Sequence, residues 1–135
     1  MGQPGVQTLK AAVDAAQEGD TILVQQGNFS GPDFCGLSMA TSNVLIRGQG
    51  ADATTIDCMG ESRGMAITGS NVTIEGVGYR NGLASGDGGC LHVSGGGQGR
   101  VTVRDCHFQG CRSTGHGGGI AVTDTTASLL LHNVA

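Results

Sequence analysis

Two short apolar strings return along this chain at a nearly constant interval, and few folds can accommodate them. The first is Val44-Leu45-Ile46-Arg47-Gly48, Val72-Thr73-Ile74-Glu75-Gly76, Val101-Thr102-Val103-Arg104-Asp105 and Leu129-Leu130-Leu131-His132-Asn133, with starts 28, 29 and 28 residues apart. The second is Gly36-Leu37-Ser38-Met39, Gly64-Met65-Ala66-Ile67, Cys90-Leu91-His92-Val93 and Gly119-Ile120-Ala121-Val122, with starts 28, 26 and 29 residues apart. Alternating strings of four or five residues are strand-like, and a fixed period in this range marks a stacked solenoid.

Between successive copies there is room for a third strand. Candidates are Thr54-Thr55-Ile56-Asp57-Cys58, Val77-Gly78-Tyr79 and Cys106-His107-Phe108, while Thr21-Ile22-Leu23-Val24 reads as the first strand and Gln26-Gly27-Asn28 as the turn after it. Three strands leave no space for a helix of about ten residues within each repeat, which disfavours leucine-rich and helical solenoids. Before the repeats, residues 6–18 place Val6, Leu9, Val13 and Ala16 at helical spacing with Gly19 beyond as a stop. This short amphipathic helix is positioned to cap the first coil. The reading is therefore a single all-β domain over 1–135: a capping helix at 6–18, then about four stacked coils over 21–135, the last incomplete.

Stacking in register makes columns. The inward ones are Val44/Val72/Val101/Leu129, Ile46/Ile74/Val103/Leu131, Leu37/Met65/Leu91/Ile120 and Met39/Ile67/Val93/Val122. A slip of one residue would turn every one of them to solvent, so the register is strongly specified. The outward column Arg47, Glu75, Arg104, His132 sets a carboxylate between two guanidinium groups, a favourable arrangement on neighbouring strands. Asn43 and Asn71, each in a Ser-Asn-Val string, are placed to stack as an amide ladder.

Composition narrows the function. The net charge of −4 gives no basic field for nucleic acid, and no apolar run approaches the length of a membrane span. The 26 glycines among 135 residues read as turn residues of a tightly wound chain, because the apolar strings keep their alternation. Residues 1–6 lack the basic and apolar regions of a secretory signal and miss the myristoylation pattern at Val6. The five cysteines (35, 58, 90, 106, 111) contain no CxxC pair. Buried thiols are the expectation; the short spacing of Cys106 and Cys111 admits a disulfide, which geometry decides.

Taken together, these residues resemble a right-handed parallel β-helix of the pectin-lyase-like superfold. The stretch from the helix through Glu18-Gly19-Asp20-Thr21-Ile22-Leu23-Val24, Gly27-Asn28-Phe29-Ser30 and Asn43-Val44-Leu45-Ile46-Arg47-Gly48 to Thr55-Ile56-Asp57-Cys58 is similar to its amino-terminal coils. Residues 101–122, with Cys106-His107-Phe108 and Gly117-Gly118-Gly119-Ile120, resemble repeats of polymorphic outer-membrane proteins and of repetitive surface proteins of algae and protists. The second string of those repeats, Phe-x-x-Asn, is met only loosely by Phe108-Gln109-Gly110-Cys111. Such folds host lyases, hydrolases, adhesins and structural spikes alike.

The resemblance to the lyases and hydrolases implies sites that the residues do not supply. A calcium lyase needs converging acidic ligands, whereas Asp52, Asp57, Glu61, Glu75, Asp87, Asp105 and Asp124 are scattered. Gly115-His116-Gly117 matches a polygalacturonase string in letters, but that family's Asn-Thr-Asp, Asp-Asp and Arg-Ile-Lys strings are missing, so His116 is read as an exposed turn residue. His92, His107 and His132 fall on strands that do not converge on one ion. Thr73 and Thr102 alone stack, too few for an ice-binding face. No catalytic, cofactor-binding or metal residues are assigned, and no cofactor is expected.

Two N-glycosylation sequons, Asn28-Phe29-Ser30 and Asn71-Val72-Thr73, tilt the expected location toward the cell surface or exterior. The leading expectation is a non-catalytic scaffold or interaction module of a surface or extracellular protein. The rivals are the amino-terminal coils of a carbohydrate-active enzyme and a polysaccharide-binding β-helix. The last strand string has no successor to cover it, so either the chain is a fragment or another chain pairs with the carboxy-terminal edge. Expected partners are thus another protein chain at that edge and polysaccharide, with no nucleic acid and no membrane span.

Overall fold

The computed structural model describes residues 8–94, 100–115, 117–122 and 128–134. Helix α1 (Leu9–Ala15) opens it, capped by the Thr8 side chain, which accepts a hydrogen bond from the Ala11 amide at 3.1 Å. The helix is shorter than the expected 6–18. Residues 6 and 7 lie outside the described set, and Ala16 already takes an extended conformation at ψ 141°, so the helix stops before Gly19. Leu9 and Val13 are its buried residues, and α1 packs beside β3 (Leu37–Met39).

Among the described residues all strand pairs are parallel, and they form three long faces. The first face stacks β1 (Thr21–Leu23), β4 (Leu45–Arg47), β7 (Val72–Glu75), the start of β11 (Arg100–Gln109) and β14 (Ser128–Val134). The second stacks β2 (Gly27–Ser30), β5 (Thr54–Asp57), β8 (Gly78–Arg80) and the end of β11. The third stacks β3, β6 (Met65–Ile67), β10 (Leu91–Val93) and β13 (Ile120–Val122). A two-residue pair, β9 (Leu83–Ala84) and β12 (Arg112–Ser113), fills the corner between the second and third faces.

This is a parallel β-solenoid of about three turns. Four coils were expected; four equivalent strands such as β3, β6, β10 and β13 bound only three full circuits. Gly27 and Asn28, read from sequence as a turn, are in strand β2, where Phe29 turns inward and stacks on Phe34 with ring centroids 4.6 Å apart. The two expected strands Val101–Asp105 and Cys106–Phe108 are one continuous element, β11, bent at Asp105 with φ +54°.

The expected register is the observed one along the first and third faces. Val101 pairs with Val72, Leu91 with Met65 and Leu37 with Met65, and these side chains are buried. Val122 and Leu131 depart from the expected inward columns, at 41% and 50% exposure. They lie on outermost strands, with no further strand stacked on them among the described residues. The second face adds an inward column that the repeats did not announce, Phe29/Ile56/Tyr79/Phe108. Tyr79 is the largest fully buried side chain, with its ring parallel to that of Phe108 at 6.0 Å. Burial pushes its phenol well above the usual range, so it stays neutral.

Candidate functional site

The corner between the second and third faces carries an irregular connection at every level. It is crossed by residues 31–36, 58–64, 81–90, 110–115 and 117–119, connections that carry the short pair β9 and β12 and are shorter at the first two levels than at the last two. Disulfides staple this corner at two places, Cys35–Cys58 and Cys90–Cys111. In each pair, a cysteine just before a third-face strand is joined to one just after a second-face strand of the next level. Buried thiols were expected; only Cys106 is one, and it is not bonded to Cys111. Its thiol donates toward the Arg104 carbonyl at 3.2 Å, and burial raises its pKa. A repeat of about 28 residues brings the two partners together because they are 23 and 21 positions apart, less than one circuit. That offset was the available sequence signal.

Along the same corner runs a depression of about 450 Å³ lined by Gly36, Glu61, Ser62, Arg63, Leu83, Ala84, Ser85 and Thr114. It follows the stacking direction, since these residues come from all four levels. Arg63 shapes one wall. Its guanidinium donates to the carbonyls of Asp87 (2.8 Å) and Gly88 (3.0 Å), holding loop 85–90 against the outer side of β10. Gly88, at φ +70°, allows that approach: a Cβ there would lie 2.9 Å from the Cβ of His92. Partly covered in this way, His92 has its pKa lowered, by burial first and the Arg63 charge second, against an opposing effect of Asp87.

The groove offers one carboxylate, one cation already engaged with backbone, three hydroxyls and peptide groups. Among the described residues no hydrogen bond joins a groove hydroxyl to a histidine or a carboxylate, and no three of His, Cys, Asp or Glu are grouped to hold a metal ion. Such a surface can hydrogen-bond a polar ligand along the stack axis.

The other sequence candidates are dispersed. His92 lies on the third face and His107 on the second, while His132 is on the first, at the register position opposite Arg104. His116 lies outside the described residues. On the first face the expected charge column forms at Arg47, Glu75 and Arg104, with the side chain of its fourth member, His132, outside the described set: Arg47 Nε reaches Glu75 Oε2 at 2.7 Å and Arg104 Nη1 reaches Glu75 Oε1 at 3.5 Å. The amide ladder forms too. Asn71 Nδ2 donates to Asn43 Oδ1 at 3.1 Å, Asn43 Nδ2 donates to Glu18 Oε1 at 3.3 Å, and Asn71 Oδ1 accepts from the Arg100 amide at 3.2 Å. Both asparagines sit at positive φ, 61° and 56°, a conformation that this side chain tolerates better than most.

No protein-family model matches the chain, and neither a curated protein nor a solved structure does. The fold stands on its own geometry. No helix among the described residues is long and apolar enough to cross a membrane.

Proposed function

We propose that the chain is a non-catalytic β-helix module of a surface or extracellular protein, serving as a rigid spacer and interaction surface, within the pectin-lyase-like class. The observation that carries this reading is the pair of disulfides set at the same corner of successive levels. Disulfides persist in oxidising compartments and are rare where thiols are kept reduced, and cross-level staples stiffen a stack whose levels touch only their neighbours. The charge column and the amide ladder add to this stiffness on the opposite side of the coil. A second reading, polysaccharide binding without cleavage, is favoured by the hydroxyl-lined groove along the stack axis.

Two measurements test these readings. In protein isolated from its natural source and alkylated in denaturant without reductant, peptide mapping should find Cys106 labelled and Cys35, Cys58, Cys90 and Cys111 protected; labelling of all five would overturn the extracellular assignment. Incubation with polygalacturonate and other acidic glycans, with and without calcium, should give no turnover, and release of reducing ends or unsaturated products would overturn the non-catalytic reading. Binding in the same mixtures that is weakened by Ser85→Trp would favour the second reading.

A further inference from the structure

We infer that Asn28 is an acceptor for an N-linked oligosaccharide and that Asn71, which carries the same acceptor pattern, is not; this rests on the proposal that the chain matures in an oxidising secretory route. Both sites satisfy Asn-x-Ser/Thr in sequence, and the fold separates them. In β2, Asn28 and Ser30 are two positions apart and both exposed, whereas Phe29 between them points inward onto Phe34. The Asn28 side chain makes no hydrogen bond among the described residues, so a sugar on its Nδ2 displaces nothing. Asn71 is the opposite case. Its Nδ2 is committed to Asn43, its Oδ1 to the Arg100 amide, its backbone is at φ +56°, and the next residue, Val72, is buried. A glycan there would break the ladder at a turn packed between two levels.

The position also gives the modification a role. Among the described residues β2 pairs with β5 on one side and with no strand on the other. An open strand edge is a template for adventitious pairing, and a bulky hydrated chain beside it blocks that pairing. The donor required is a polyprenyl-diphosphate-linked oligosaccharide. The Asn28 Nδ2 bonds to the anomeric carbon as the bond from that carbon to the diphosphate oxygen breaks; the diphosphate leaves with the electron pair and the amide gives up one proton.

The full chain, directed into the endoplasmic reticulum of a eukaryotic cell, should carry a single glycan, read as one step of mobility on enzymatic deglycosylation and mapped to Asn28 by peptide mass. Asn28→Gln and, independently, Ser30→Ala should each abolish the step, and Asn71→Gln should leave it. Retention of Cys35–Cys58 and Cys90–Cys111 in non-reducing peptide maps shows that each variant has folded. No step in the unmodified sequence, a step that survives Asn28→Gln, or a glycan on Asn71 would overturn the assignment. Fully reduced cysteines in protein from its natural source would instead sink the secretory reading, while the acceptor assay would still stand on its own result.

Discussion

Gly48 follows β4 at a point where one level passes directly against the next. A Cβ built there would collide with the carbonyl oxygen of Gly76 and lie 2.9 Å from Val77 Cγ2 and 3.0 Å from Thr54 Cβ. Backbone cannot move aside as a flexible side chain can, and overpacking of this kind costs about 1–3 kcal/mol. Gly48→Ala is therefore expected to lower stability by about 2 kcal/mol in denaturant titration. Gly86→Ala, at a position with nothing within 4 Å and no positive φ, should be neutral or slightly stabilising. Equal losses at the two positions would show that glycine is not being read through close approach. Cys106 makes a second prediction at this scale. Its thiol is buried, with its pKa raised by that burial, so an aromatic disulfide reagent should leave it unmodified in the native protein at neutral pH and titrate it on unfolding. Fast labelling of the native state would contradict the placement. Glycine was legible as a class in the sequence, but which glycine is indispensable was not, because the colliding atom belongs to a residue about one circuit away.

Among the elements, β4, β7 and β11 make the charge column. Glu75 is 19% exposed in its side chain and serves both Arg47, at 49%, and Arg104, at 46%. Exposed ion pairs contribute little, and opposite charges facing across strands are worth about 0.2–1 kcal/mol per pair. Glu75→Gln removes the shared carboxylate and leaves two guanidinium groups on either side of a neutral amide. The expected loss is about 1 kcal/mol at low salt, shrinking as ionic strength rises. A loss that does not depend on salt would mean that packing, not charge, is what Glu75 supplies. The Arg47, Glu75, Arg104 part of this column was legible, since strict alternation along a strand fixes which residues face out and the period fixes which of them stack. The strand β2 was not. Gln26-Gly27-Asn28 has turn composition, and only pairing with β5 and the Phe29–Phe34 contact make it a strand. The groove was hidden for a related reason: residues 31–36 and 58–64 match neither each other nor 81–90 in length or pattern, so the string shared by Ser85-Gly86-Asp87-Gly88-Gly89 and Thr114-Gly115-His116-Gly117-Gly118 does not by itself announce that all of them meet at one corner.

For the whole molecule, the disulfides set how the stack comes apart. Cys35–Cys58 ties the first level to the second and Cys90–Cys111 the third to the fourth, so the junction between β6 and β10 is held by strand pairing and core packing without a covalent staple. In a solenoid each level is stabilised by its own contacts and those with its neighbours, so loss of a staple acts on the pair of levels it joins. Closing loops of 23 and 21 residues is worth about 3 kcal/mol each in the chain-entropy account. Replacing both cysteines of a pair avoids a stray reactive thiol. Cys35→Ser with Cys58→Ser should therefore cost about 3 kcal/mol, and Cys90→Ser with Cys111→Ser a similar amount. Hydrogen exchange distinguishes the two. The first pair of substitutions should speed exchange in β2, β3 and β5 before β10 and β13, and the second should do the reverse, because the unstapled junction interrupts the spread of opening. Uniform acceleration along all three faces in either variant would mean that the stack unfolds as one unit, and that the staples act on the unfolded chain alone.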